Sequence, residues 1–260
     1  MANDRGRTLQ SMNYQAVPGS YLDEIRRQRR IWEEKPILRY IYSEYFGRVE
    51  TNLAPGSPTL ELGGGSGRLK ETFSRVVASD VFPTPWIDVQ LDAHFFPFRE
   101  GTVRNVVAID VLHHLPDPLA FFRECVRTLS RGGRIVLIEP HISLWSYLVY
   151  TCMHHESCDW RDDAWGARHP ASGHNFANEA LPWLLLQRNR KKFLLEFPDL
   201  RILKSEFFDF IAYPASGGFN YRSVLPLSFI RIILRLEKLL PMLVTKYITG
   251  MRSLIVIERL

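Results

Sequence analysis

Short, almost wholly apolar runs alternate with helical patterns through the middle of this chain, and that alternation limits the possible folds more than any other feature. The runs are TLEL (Thr59 to Leu62), VVASD (Val76 to Asp80), IDVQLD (Ile87 to Asp92), NVVAIDVL (Asn105 to Leu112) and GRIVLIEP (Gly133 to Pro140). Strands apolar on both sides belong to a sheet covered on both faces. Between the last two, DPLAFFRECVRTLSRGG has an apolar period of 3.6. Asp117 suits its N-cap and Pro118 its first position, with Gly132 and Gly133 as the stop. Strand and helix taking turns over short connections imply a doubly wound, parallel α/β layer structure. Upstream, YLDEIRRQRRIWEEKPILRYIYSEYFGRV reads as two helices broken at Pro36. Beyond Pro140 the alternation fails. Residues 141–180 are rich in His, Trp and Asp with little regular pattern, an excursion of the length that usually serves function. ALPWLLLQRNRKKFLLEF then looks helical and LRILKSEFFDF (Leu200 to Phe210) looks extended. LPLSFIRIILRLEKLLPMLVTKYI forms one or two helices, and RSLIVIER (Arg252 to Arg259) closes the sheet as a seventh strand.

Bulk properties narrow the function. With 260 residues and 46% apolar content the chain can bury a substantial core. The opening MANDRGRTLQSMN has no apolar stretch of the kind a signal peptide needs, and three cysteines make no disulfide framework, so a cytoplasmic setting is expected. The most apolar region, SVLPLSFIRIILRLEKLLPMLV, is interrupted by Arg231, Arg235, Glu237 and Lys238, which argues against stable membrane insertion. A formal charge of +5 is thinly spread. Its two dense runs, RRQRR and RNRKK, lack interleaved aromatics and read as exposed helix faces rather than a nucleic-acid surface.

The chemistry points to LELGGGSGRLKE, Leu60 to Glu71, where four of five consecutive positions are glycine. Glycine costs the most conformational entropy on folding, so such a cluster implies a sharp turn or a ligand lying against bare backbone. In an open α/β sheet that place, after the first strand, is where ligands bind. A dinucleotide fingerprint would need glycine at position 68 or 70, where Arg68 and Lys70 stand. The spacing present, Glu61-x-Gly63-x-Gly65-x-Gly67 with Gly64 between, resembles motif I of the class I S-adenosylmethionine-dependent methyltransferases, type 11-like and of the small-molecule branch. Asp80 ends the second strand, LDAHFFPF carries Asp92 and Ala93, and NVVAIDVLHHLPDPLAFFRECVRTLSRGGRIVLIEP follows the family's fourth strand, helix and fifth strand. The resemblance covers roughly residues 56–140 and the closing strands more weakly.

It implies a seven-stranded Rossmann-like sheet with a helical cap inserted after the fifth strand and before the last. Within one globular domain, residues 1–50 would cover the cofactor site and 51–140 would form the cofactor-binding half. Residues 141–199 would be the cap and acceptor insertion, and 200–260 the closing strands with a helical lid. S-adenosylmethionine would lie with its amino acid part over Glu61, Gly63, Gly64, Gly65 and Gly67. Its ribose would sit on Asp80 beside Val81, its adenine on Asp92 and Ala93, and its sulfonium side would face Asp110. The implied activity is methyl transfer to a small metabolite or glycan, at oxygen before nitrogen or carbon.

Acceptor-side candidates cluster after the fifth strand. Glu139 and His141 lie at its end, and YTCMHHESCDW supplies His154, His155 and Glu156, of which a histidine can remove the acceptor's proton. His113 and His114 read as structural. Cys152, His154, His155, Glu156 and Cys158 match no standard zinc spacing, so no metal is expected. Enzymes that methylate base amino groups resemble one another in an Asn or Asp, Pro, Pro, aromatic run after the fourth strand; IDVLHH stands here and argues against nucleic acid. Trp145, Tyr147, Tyr150, Trp160, Trp165 and Trp183 suit an acceptor pocket. The helices around Leu225 to Ile248 combine an apolar face with basic residues and read as a lid, or alternatively as a peripheral membrane contact serving a lipid-linked acceptor. A cofactor-binding module without turnover is the other alternative. Oligomeric state and the methylated atom stay open.

Overall fold

The computed structural model describes residues 19–153, 156–163, 165 and 177–260. Two helices, α1 (Gly19–Glu34) and α2 (Pro36–Asn52), meet at Lys35, with Pro36 as the first residue of the second. There its missing N–H costs nothing and its fixed φ suits the helix. Then follow β1 (Thr59–Leu62), α3 (Arg68–Thr72), β2 (Val76–Asp80), β3 (Val89–Gln90), β4 (Val103–Ile109), α4 (Pro118–Thr128) and β5 (Leu129–Pro140). The second half runs through α5 (Leu144–Cys152), α6 (Leu181–Trp183) continued by a π turn Leu184–Arg188, α7 (Arg190–Glu196) and β6 (Leu200–Phe208). It closes with α8 (Ala212–Ser216), α9 (Leu227–Glu237), α10 (Met242–Val244) continued by a π turn Thr245–Thr249, and β7 (Arg252–Arg259).

The seven strands form one sheet in the order β3-β2-β1-β4-β5-β7-β6. All pairings up to β5 are parallel, while β7 runs antiparallel to both β5 and β6. Successive residues bury on opposite faces. Val106, Ala108, Ile135 and Leu137 join a core with Phe121 and Phe122 of α4 and Phe193 of α7. Val107, Val136 and Ile138 join another with Ile41 and Tyr45 of α2, Ala212 of α8 and Ile230 of α9. Both sides of each central strand are thus apolar, which is why they read as unbroken runs. Strand order reverses between β1 and β4, and the crevice beyond their carboxyl ends is where such a sheet takes its ligand.

Several elements depart from their sequence reading; the fourth strand, for one, is Val103–Ile109 and gives way to a 3-10 turn at Leu112–His114. The third strand shortens to Val89–Gln90, because the Asp88 carboxylate accepts from the Ala78 amide and Asp92 turns onto His94. Gly132 and Gly133 do not stop α4. The helix ends at Thr128, and the glycines lie inside β5, where Gly132 has φ 70° and the pairing with β4 shifts register between Val103 and Asn105. The sixth strand ends at Phe208, two residues before Phe210, and is followed by Asp209 at a positive φ.

Candidate active site

A cavity of about 1270 Å³ runs from α1 and the glycine loop, over the ends of β1 and β4, to α5 and α8. At its first end the chain turns sharply after β1. The Gly64 amide donates to Ser79 O at 2.8 Å, and the Gly67 amide donates to Gly64 O at 2.7 Å. A Cβ at Gly64 would meet Glu61 Oε2 at 2.7 Å, and one at Gly65 would meet Asp80 Oδ2 and the Tyr21 hydroxyl, each at 2.8 Å. The loop is bare because two carboxylates press against it.

Glu61 is buried, and its Oε2 has no hydrogen-bond partner. Burial first, then the charges of Asp80 and Asp88, push its carboxyl up to about 8. Asp80 accepts from the Tyr21 hydroxyl at 2.8 Å and from the Phe82 amide at 3.1 Å. Burial raises its pKa and these bonds offset part of the rise. Asp92 accepts from the His94 amide and lies 2.6 Å from His94 Nδ1. Burial works against its charge, yet the His94 bonds prevail and hold its carboxyl below the usual range.

Glu61, Gly63, Gly64, Asp80, Val81, Asp92, Ala93 and Asp110 all line the cavity. Gly65 lies behind that wall against Asp80 and Tyr21. Gly67, at φ 70°, packs against Trp86 and opens α3.

The other end is built around two buried networks. Glu139, at the end of β5, accepts from the Val111 amide (2.9 Å) and the Leu112 amide (2.7 Å) with one oxygen, and lies 2.8 Å from His113 Nδ1 with the other. It thereby fixes the loop after β4. His113 Nε2 is 3.6 Å from Glu156 Oε2. Burial opposes charge on this ring, but Glu139 and Glu156 raise its pKa well above 6.5, so the group holds a proton. His113, His114 and Glu156 bring three ligand-type atoms within 4.8 Å of one another, an arrangement that can hold a proton or a cation.

The second network is the ion pair of Arg252 with Asp110, extended to Asp209 at 3.8 Å from Arg252 Nε. Asp110 and Asp209 are the non-glycine residues with positive φ among those described, at 58° and 57°. Such a backbone costs about 1–3 kcal/mol and persists where surroundings enforce it. One guanidinium holds both, seated over the rings of Tyr213 and Tyr45.

Several expected acceptor residues are elsewhere. His154 and His155 lie outside the described residues. Glu156 lines the cavity, as does His113, which reads from its place after the fourth strand as structural. His141 is held by Lys246 O at 2.7 Å and by Gln187 Nε2 at 3.2 Å, and burial pushes its pKa down to about 4; its role is structural. Of the six aromatics expected around the acceptor, Tyr150 lines the cavity; Tyr42, Tyr213, Phe219 and Tyr221 supply the rest of that wall. No residue from Leu225 to Ile248 contributes to the wall, so the predicted lid lies outside it.

A parallel sheet extended by an antiparallel seventh strand, with a bare-backbone loop and acidic strand ends at its switch point, defines a methyltransferase-type α/β fold. Residues 60–137 match the family described as methyltransferase domain. No curated protein matches the chain in sequence. Among solved structures, a SAM dependent methyltransferase from Archaeoglobus fulgidus is similar in fold, with a TM-score of 0.51 at 17% identity over 85% of this chain and 94% of that one. The methyltransferase solved with the Trm112 activator of Haloferax volcanii gives a TM-score of 0.50 at 15% identity over 91% of this chain and 94% of that one. The chain thus has the fold of the S-adenosylmethionine-dependent methyltransferases, with the methyltransferase-domain match lying over residues 60–137.

The cavity fits that cofactor: an orphaned buried carboxylate oxygen on Glu61 suits an ammonium group, and the Gly64–Gly65 backbone leaves room where side chains would collide. No helix among the described residues is long and apolar enough to cross a membrane.

Proposed function

We propose that the enzyme methylates a small metabolite or glycan, at oxygen. The observation that carries this reading is the continuity of the cavity. Its 1270 Å³ exceeds the roughly 300–1,000 Å³ of a single-ligand pocket, so a cofactor and an acceptor can meet inside it. The same open volume disfavours a binding module without turnover.

In this reading Glu61, with Gly63, Gly64 and Gly65, receives the amino acid end of the cofactor, and Gly67 sets the turn. Asp80, with Val81 beside it, accepts the ribose hydroxyls through the lone pairs that Tyr21 and Phe82 leave. Asp92 and the Ala93 amide take adenine. Asp110 faces the sulfonium side, fixed by Arg252. When bound, the cofactor supplies an electrophilic methyl group on a cationic sulfur. Holding the acceptor in line with it recovers about 7–11 kcal/mol of barrier. Proton removal adds about 10²- to 10⁴-fold, or roughly 3–5 kcal/mol. Alignment outweighs base catalysis here. Glu156 is positioned at the cavity wall to accept a hydroxyl proton, with His154 and His155 beside it in sequence, and the His113–Glu139 pair fixes the loop opposite.

The test is transfer of labelled methyl from S-adenosylmethionine into fractionated cell extract. Label in a small-molecule or glycan fraction supports the reading. Label in nucleic acid or protein, or cofactor binding with no transfer to any fraction, rejects it.

A further inference from the structure

The helices that fail to line the cavity carry an apolar surface of their own. In α9 the inner face, Ile230 and Leu234, is buried in the core beside α2 and α8. A second apolar stripe, Phe229, Ile232, Leu236 and, just beyond the helix, Leu239, recurs every three or four residues on the outer side and is exposed, Leu239 to 77%. A surface helix needs one apolar face for its core; a second one facing outward calls for a further apolar environment. The same holds next door. Met242 and Leu243 of α10 and Tyr247 and Ile248 of the following π turn are exposed, and that turn packs against α5. On α5, Leu144 (72% exposed) and Leu148 lie one helical turn apart and Met153 follows, and Met153 also lines the cavity. Tyr221, which also lines the cavity, is 74% exposed and leads through Val224 into α9. The apolar surface therefore reaches the cavity's rim from two sides.

Its charge is one-sided. Residues 211–250 hold Arg222, Arg231, Arg235, Lys238 and Lys246 against Glu237 alone, so this segment contributes +4 of the chain's net +5. Lys238 is paired with Glu44 of α2. On α9 the positions of Arg231, Arg235 and Lys238 flank the outer stripe on one side, 100° per residue round the helix. Helix α5 has no charged residue at all. Apolar side chains to enter the acyl boundary, with cations beside them at head-group level and scarcely any carboxylate, form the pattern of a helix lying in an anionic membrane interface.

We propose that α9, α10 and α5 seat the chain on an anionic lipid bilayer, with the cavity's mouth at the interface. Docking itself does not depend on methyl transfer. The acceptor class it implies rests on the methyltransferase reading and narrows it: a glycan or other small polar head that enters the cavity, carried on a hydrocarbon that stays in the bilayer.

Flotation of the full chain with vesicles tests this. Wild type is expected to co-float at low salt with vesicles of phosphatidylglycerol and phosphatidylcholine, and to be released in part by high salt. On pure phosphatidylcholine it should bind far less. The double variant Leu236→Glu/Leu239→Glu should stay at the bottom of the gradient. Arg231→Gln/Arg235→Gln should lose roughly thirtyfold in partition on anionic vesicles, the effect of two cations near such a surface. Both variants lie outside the cavity and should keep wild-type affinity for S-adenosylhomocysteine, which shows that they fold and separates this test from that of the cofactor site. Failure of wild type to co-float at low salt overturns the proposal. So does equal binding to neutral and anionic vesicles, or a wild-type dimer in sedimentation that Leu236→Glu/Leu239→Glu dissociates while vesicles bind neither form.

Discussion

Binding of the cofactor's amino acid end should expel a proton from Glu61, and pH is the perturbation that shows it. This carboxyl is buried, has an oxygen without a partner and stands near two other acids, so it titrates at about 8. At pH 7, one unit below, about nine in ten molecules carry the proton. An ammonium group beside Glu61 favours the carboxylate, so the proton must leave first. Each pH unit below 8 then costs about 1.4 kcal/mol of binding, a factor of about ten. Affinity for S-adenosylhomocysteine should rise about fiftyfold from pH 6 to pH 8 and level off above, near a hundredfold over its value at pH 6. Calorimetry in phosphate and in Tris reads the same event directly: at pH 7 the two heats should differ by the ionisation of nearly one proton, taken up by the buffer. Glu61→Gln should flatten both dependences. The sign for folding runs the other way. A carboxyl whose folded pKa lies above its unfolded value costs the ligand-free fold stability as pH rises from about 4.5 through 8. Thermal protection by the ligand should therefore be larger at pH 8 than at pH 6. Constant affinity from pH 6 to pH 8 with buffer-independent heats would refute the placement of the ammonium on Glu61.

Other substitutions test the remaining parts. Asp80→Ala should weaken S-adenosylhomocysteine binding by about 1.5–3 kcal/mol, the range for hydrogen bonds to a charged group, and unchanged affinity removes Asp80 from the ribose. Gly65→Val should be worse, since its Cβ alone meets Asp80 and Tyr21 at 2.8 Å; wild-type affinity would show that the loop does not support the site. Arg252→Met leaves Asp110 and Asp209 without their counter-charge and should cost about 3–5 kcal/mol in urea unfolding, with a loss below 1 kcal/mol counting against the network. His113 has a folded pKa raised above 6.5, so its stabilising contribution is complete below pH 6.5 and fades as pH rises through the folded value. Glu139→Gln should shrink that pH dependence, and an unaltered urea midpoint profile between pH 6 and pH 9 would contradict it.

Much of this was legible before any coordinates. A strand buried on both faces has to be apolar at every position, so β1, β2, β4, β5 and β7 announce themselves. The Asp117–Pro118 start of α4 follows from capping chemistry, and Asp117 does accept from the Ala120 amide. That Glu61, Gly63, Gly64, Asp80, Asp92 and Ala93 share one cavity wall was readable because they sit within one loop and at strand ends, where local spacing fixes position. Gly132 and Gly133 misled because a glycine pair marks a β-bulge as well as a helix end. The other end of the cavity was not readable for a related reason: its partners meet only through the sheet. Arg252 and Asp110 are 142 residues apart, and His113 and Glu139 are 26 apart, with no local pattern to join them. Of the aromatic residues of α5, Tyr150 lines the cavity, while Trp145 donates its Nε1–H to Phe210 O and Tyr147 is exposed, a distribution that residue type alone does not reveal. A positive φ at an aspartate leaves no sequence signature either.

The most direct measurement is a crystal structure of the chain with S-adenosylhomocysteine. Ribose hydroxyls should lie on Asp80, adenine against Asp92 and Ala93, and the sulfur should face Asp110 with open cavity running on toward His113. A nucleoside bound in the reverse sense, with its sulfur toward Tyr21 and no open space beyond it, would rule out methyl transfer at this end of the cavity.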